Sequence, residues 1–159
     1  MHRTRVSRHL AAPRAAVYRM LLDPEAVARW RVPDGMSARV HAFDAREGGL
    51  FRVSLTYEGP GTGKSGARTD TYHGRFARLV PDERIVEVLE FETPDPALRG
   101  AMTLTTTLAD APGGGTDVTV DHEGLPDAVP AADNETGTRM ALGRLAALLD
   151  GEEPADHPA

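Results

Sequence analysis

The spacing of apolar and polar positions changes twice along the chain, and the changes divide it into elements. Residues 3–10 alternate Thr4, Val6, Arg8 and Leu10 against Arg5, Ser7 and His9, which predicts a short strand. Pro13 then opens a helix whose buried side is Val17, Tyr18, Leu21 and Leu22. Asp23-Pro24 ends that helix and supplies the N-cap and first-turn proline of a second short one, closing near Trp30. From Ser37 the period becomes two, predicting strands over 37–43, 50–57, 71–80, 84–91, 101–108 and 116–123. Gly48-Gly49, Pro81-Asp82-Glu83 and the polar run 109–115 supply the turns or bulges between them. The period returns to 3.6 over 130–150, where Thr138, Ala141, Leu142, Leu145, Leu148 and Leu149 share one arc. Arg139, Gly143, Arg144 and Ala147 take the outer face of this helix. Pro130 suits its first turn, Asp133 and Glu135 complement its positive end, and Gly151 fits a left-handed cap. At 1.5 Å per residue such a helix is about 30 Å long, enough to cross a small sheet. The fold class is therefore α+β: a curved antiparallel sheet of six to seven strands around a long C-terminal helix, with two short helices after strand one.

Strict alternation also fixes which side chains face that helix. Phe51, Val53, Leu55 and Tyr57 share one side of their strand, and Tyr72, Gly74 and Phe76 line the same concave side. Ile85, Leu89 and Phe91 make the apolar face of the fifth strand, which turns Glu87 inward. Val118 and Val120 likewise turn His122 inward. A carboxylic acid in an apolar site has a raised pKa, and a nearby imidazole can share its proton, so Glu87 and His122 are candidates for acid-base work. If both face a cavity, replacing each with an apolar residue is expected to leave the fold intact or slightly more stable. The competing reading puts Glu87 outside on a slipped register and ties His122 to a turn near Gly124. Trp30 and Met36 border the break before the first long strand, as core or as the lip of a pocket.

Several strings in this order resemble a known family. They are Ala12 to Tyr18 followed by Asp23-Pro24 and Trp30, Asp44 to Gly49, Gly74-Arg75-Phe76, Pro81 to Val86, Thr116 through His122-Glu123-Gly124-Leu125, and Gly137 through Leu149. Together they resemble the START-like, helix-grip superfamily (SRPBCC, the birch-pollen-allergen-like fold). Within it they resemble the branch named after the C-terminal domain of the heat-shock-protein-90 ATPase activator homologue. The resemblance spans 6–149 and implies a ligand cavity between sheet and long helix, filled by a small hydrophobic or amphipathic molecule of lipid or polyketide type. With such a cavity, alternation and position in the chain make Trp30, Met36, Phe51, Val53, Leu55, Tyr57, Tyr72, Phe76, Glu87, Leu89, His122 and Met140 the expected lining residues. A cyclase or dehydratase using His122 with Glu87 or Tyr72 is the enzymatic alternative, and binding without catalysis is the favoured one. Co-chaperone activity rests on the branch name alone, and in the namesake it also draws on another domain. The chain departs from the family at Thr138, where Trp often stands after Gly137, and at Leu89, where an aromatic often stands. Both departures remove bulk from the cavity wall.

Composition narrows the partners. The chain has 159 residues, 40% of them apolar, which suits one domain over 1–151 with a disordered tail over 152–159. A net charge of -6, with Lys64 as the only lysine, argues against nucleic acid and anionic membranes. There is no cysteine, hence no disulfide and no thiolate metal site, and the histidines show no ligand spacing, so neither metal nor cofactor is expected. No signal-like or membrane-length apolar stretch occurs, which points to a cytoplasmic protein, and a monomer or homodimer is expected. The string Gly59-Pro60-Gly61-Thr62-Gly63-Lys64-Ser65 ends like a phosphate-binding loop, but Glu58 stands where the first glycine belongs and a strand follows. It reads as a flexible hairpin loop.

Overall fold

A computed structural model of the chain describes residues 1–58 and 69–151. The loop predicted at 59–66, with its Gly63-Lys64-Ser65 string, and the tail at 152–159 lie outside the described residues. The elements run β1 (His2–Leu10), α1 (Arg14–Leu21), α2 (Pro24–Trp30), β2 (Met36–Phe43), β3 (Leu50–Tyr57), β4 (Thr69–Val80), β5 (Arg84–Phe91), β6 (Met102–Asp110), β7 (Thr116–Leu125) and α3 (Ala131–Leu149). A short 3-10 turn, Pro96–Leu98, precedes β6 and carried no periodic signal. Strands β2 to β7 form a meander, and β1 closes onto β7, giving one antiparallel sheet in the order β1-β7-β6-β5-β4-β3-β2. The predicted helix-grip architecture is present, with seven strands.

Local chemistry explains the joints. The Asp23 side chain accepts a hydrogen bond from the Glu25 amide, so the turn between α1 and α2 is an N-cap followed by Pro24 at the first helical position. Three bulges, at Val40/Ala42, Phe76/Arg78 and His2/Arg3, interrupt the ladders. Each inserts an unpaired residue and bends its strand, which lets a flat ladder curl around a helix. At the β1–β7 bulge the inserted residue is Gly124, with a φ of 77° that only glycine adopts without cost. Gly74 serves closeness: a β-carbon there would sit 2.1 Å from the Val88 carbonyl oxygen of the neighbouring strand.

The long helix covers the concave face. Leu142 and Leu145 are buried in the same core as Val6, Phe51, Ile85, Met102 and Val118, and α3 also packs against β1, α1 and α2. One expectation about α3 is overturned. Arg144, assigned to the outer face, is buried, donating through Nε to the Arg29 carbonyl (3.2 Å) and through Nη1 to Asp34 (3.4 Å). The interface with α2 widens the buried arc of the helix beyond the stripe that faces the sheet, and a long arginine fills it by carrying its charge to polar groups at the far end of α2.

Candidate functional site

A cavity of about 500 Å³ lies between the sheet and α3. Its wall is apolar over most of its extent, with Leu21, Leu55, Ile85, Leu89, Met102, Leu104, Val120, Met140 and Leu142 among the lining residues. Trp30, Met36, Tyr57, Tyr72, Glu87 and His122 also line it. Phe51, Val53 and Phe76 do not. They are buried in the core, where Phe51 packs against Phe76 with ring centroids 5.0 Å apart and meets Tyr72 edge-on at 6.2 Å. Through its contact with Tyr72, Phe51 backs a residue of the wall. Parity along a strand places a side chain on the concave side but does not say whether the helix covers it directly. Thr138 and Leu89, where the family often carries larger side chains, both line the cavity.

The sheet register aligns the polar groups. Phe76 pairs with Glu87, Glu87 with Leu104, Leu104 with His122 and His122 with Thr4, so one row crosses five strands. Glu87 and His122 are thus two strands apart, about 10 Å between backbones at ordinary strand spacing. They do not bond to each other. Glu87, 4% exposed, instead accepts a hydrogen bond from Arg31 Nη1 at 2.7 Å. Arg31 also lies over the Tyr72 ring, 5.2 Å from its centroid. Burial works against the guanidinium charge, but the Glu87 carboxylate outweighs it and holds Arg31 firmly protonated. Burial likewise raises the Tyr72 phenol, which Arg31 counters and Glu87 reinforces.

Sequence reasoning missed Arg31. It follows α2 in an irregular segment, where no period assigns it a face. The available signal was Glu87 itself, because a carboxyl group buried on an apolar strand face must either hold its proton or take a cationic partner.

His122 is held from the helix. Thr4 Oγ1 donates to Asn134 Oδ1 at 2.6 Å, and Asn134 Nδ2 donates to His122 Nδ1 at 3.2 Å, which leaves the ring proton on Nε2. The competing expectation of a bond to the turn near Gly124 is replaced by this link from β1 through α3 to β7. Burial, and secondly the charge of Arg31, lower the His122 pKa from 6.5 to about 4. The imidazole is therefore neutral at pH 7.

The linkage has a definite sign. Between pH 6.5 and 4 the unfolded chain holds a proton at this position that the folded chain does not, so stability falls as pH drops through that window, by up to about 3 kcal/mol. Glu92 acts lower. Its hydrogen bond from Arg52, helped against burial by His73, depresses its pKa from 4.5 to about 2, so its contribution is lost as pH falls through that second window. Thermal melts across pH 4–7 are expected to show a slope in the wild type that His122→Phe largely removes. An unchanged slope in that variant would mean His122 titrates normally.

Among the described residues, three buried side-chain polar atoms have no hydrogen-bond partner: Trp30 Nε1, Tyr72 Oη and His122 Nε2. All three belong to side chains that line this cavity. Each such group costs about 1–3 kcal/mol. Among the described residues, no group of three or more His, Asp and Glu could hold a metal ion, and no helix is long and apolar enough to cross a membrane.

Comparison with known proteins agrees with this architecture. Protein CV1439 from Chromobacterium violaceum is 36% identical, superposes with a TM-score of 0.82, and aligns over 93% of this chain and 96% of its own. A protein from Rhodobacter sphaeroides is 24% identical with a TM-score of 0.78, over 94% and 92% of the two chains. DynU16, from the dynemicin biosynthetic locus, shares the fold at 22% identity and a TM-score of 0.69, over 98% of this chain and 49% of its own. No curated protein matches the sequence. The model of the family described as Activator of Hsp90 ATPase homolog 1-like protein matches residues 11–150. Nearly the whole helix-grip unit, from the residue after β1 to the end of α3, is covered, and the chain belongs to that family.

Proposed function

We propose that the protein binds a small, largely apolar molecule between the sheet and α3, as a carrier, sensor or sequestering protein. The observation that carries this is the cavity of about 500 Å³. Protein interiors are otherwise close-packed, with few voids larger than a water molecule. An apolar hollow with a few polar groups, in the range of roughly 300–1,000 Å³, is the usual form of a small-molecule site. The residues assigned to ligand contact are Trp30, Met36, Leu55, Tyr57, Tyr72, Glu87, Leu89, His122 and Met140. An acid-base enzyme built on Glu87 and His122 has less support, because Arg31 already holds the carboxylate and the imidazole lies two strands away.

Native mass spectrometry of the protein after exposure to a cell lipid and metabolite extract tests the proposal. Adducts of one mass class are expected. At a hundred times its dissociation constant, the identified compound should stabilise the fold by about 2.7 kcal/mol, raising the melting temperature by about 5–10 °C. Adducts that turn over would favour an enzyme. If no apolar compound binds or shifts the melt while ATP with magnesium does, the cavity reading is wrong.

A further inference from the structure

Among the described residues, one ion pair has both members on the cavity wall, and it closes on one side only. Arg31 Nη1 donates to Glu87 Oε1 at 2.7 Å. Arg52 and Glu92, at the surface, show the alternative: Nε and Nη2 reach both carboxylate oxygens, at 2.7 and 2.9 Å. Arginine and carboxylate frequently close in that two-legged way. In the cavity pair the second leg is absent, so Arg31 Nε and Nη2 keep their donors and Glu87 Oε2 keeps its lone pairs.

These three atoms can be reached. None of them is among the buried polar atoms that lack a partner, so each keeps accessible surface. The Arg31 side chain is 20% exposed, and Glu87 stands on the concave side of β5, the central strand, so that surface opens on the hollow. Trp30 Nε1, Tyr72 Oη and His122 Nε2 differ in being enclosed. The open edge of the ion pair is therefore the polar feature that a ligand meets.

That edge sets two demands at once, a lone pair for a guanidinium N–H and a proton for a carboxylate oxygen. A hydroxyl supplies both from one atom. A ketone or ether oxygen satisfies the arginine alone, an ammonium the carboxylate alone, and a carboxylate brings no proton. A hydrocarbon satisfies neither and strips water from charged groups, which is costly.

Resting on the binding role proposed above, we infer that the ligand is a mostly apolar molecule carrying an uncharged group that both donates and accepts, such as a phenol or alcohol hydroxyl, which bridges Glu87 Oε2 and the free N–H groups of Arg31. The pair then holds the wall together through one leg and reads the ligand through the other.

Four probes on one ring system, titrated calorimetrically into the full-length protein at pH 7, test this: 2-naphthol, 2-methoxynaphthalene, 2-methylnaphthalene and 2-naphthoate. Differences in their own hydrophobicity cancel when affinity ratios are compared between wild type and variant. The ratio of naphthol to methylnaphthalene is expected to fall about tenfold in Arg31→Met/Glu87→Leu, the increment of one good hydrogen bond to a charged group. Glu87→Gln is the near-isosteric test, because its amide oxygen can keep the bond from Arg31 while its NH2 turns a donor toward the ligand. There the ratio of naphthol to methoxynaphthalene should fall about fivefold, with methylnaphthalene unchanged. Ratios that stay the same in both variants would overturn the inference and leave an apolar site in place. Naphthoate as the tightest ligand would also overturn it, because an arginine that reads an anion needs no donated proton. Failure of all four probes to bind would overturn the cavity reading together with it.

Discussion

Leu145→Asp is expected to abolish folding, giving no cooperative thermal transition and insoluble or protease-sensitive protein. Leu145 is fully buried in the C-terminal half of α3, in the core that joins the helix to the sheet. The change removes about 1.5–3 kcal/mol of apolar burial and puts a carboxylate with no partner into that core, at several kcal/mol more. Total stability of a domain this size is about 5–15 kcal/mol. Leu145→Ala, which lacks the charge, should cost about 2–5 kcal/mol and still melt cooperatively. Arg139→Ala is the control on the opposite face. Its side chain is 63% exposed and meets Glu135 at 3.8 Å, an i,i+4 pair on the surface worth about 0.3–0.5 kcal/mol. Circular-dichroism melts of the three variants would settle the helix face, and similarly small effects at Leu145 and Arg139 would mean that it has been assigned backwards.

The same helix shows what a sequence can and cannot specify. Leu142 and Leu145 were readable because one rule, burial of an apolar stripe, determines them. Arg144 was not, because its burial depends on α2 delivering a carbonyl from Arg29 and a carboxylate from Asp34 to the place its guanidinium reaches. The strands divide in the same way. Alternation alone turns Glu87 and His122 inward, since Ile85 and Leu89, and Val118 and Val120, leave no other parity. It does not say what those two groups touch. Their partners, Arg31 and Asn134, come from the end of α2 and the first turns of α3, whose positions relative to the sheet are set by three-dimensional packing. With 18 Lys and Arg side chains in the chain, alternation could not say whether Glu87 keeps its proton or which cation meets it. Depth is also a tertiary property. Leu55 and Phe51 share a strand face, yet only Leu55 lines the cavity, while Phe51 packs into an aromatic cluster with Phe76 and Tyr72.

The Arg31–Glu87 pair reverses one expectation and yields the second large effect. An apolar replacement of Glu87 was expected to leave the fold intact or slightly more stable, on the premise that its carboxylate was buried alone. It is paired, so removing either member strands the other. Arg31→Met should be the more damaging change, costing about 3–5 kcal/mol, because the Glu87 side chain is only 6% exposed and cannot turn to water. At about 2–4 °C per kcal/mol, the melting temperature falls by roughly 10 °C. Glu87→Leu should cost less, since the Arg31 side chain is 20% exposed and can carry its charge outward along a flexible stem. The double variant Arg31→Met/Glu87→Leu should recover most of the loss, because two apolar groups of similar volume replace the pair with no charge left over. An independent readout comes from the neighbouring strand. Arg31 is the second cause of the depressed His122 pKa, so in Arg31→Met that pKa should rise from about 4 yet stay below 6.5, burial being the larger cause and still present. Nuclear magnetic resonance titration of the imidazole would report it. If the double variant is as unstable as the two single changes added together, and His122 titrates unchanged, then Arg31 and Glu87 act independently and the charge compensation assigned to the cavity wall does not exist.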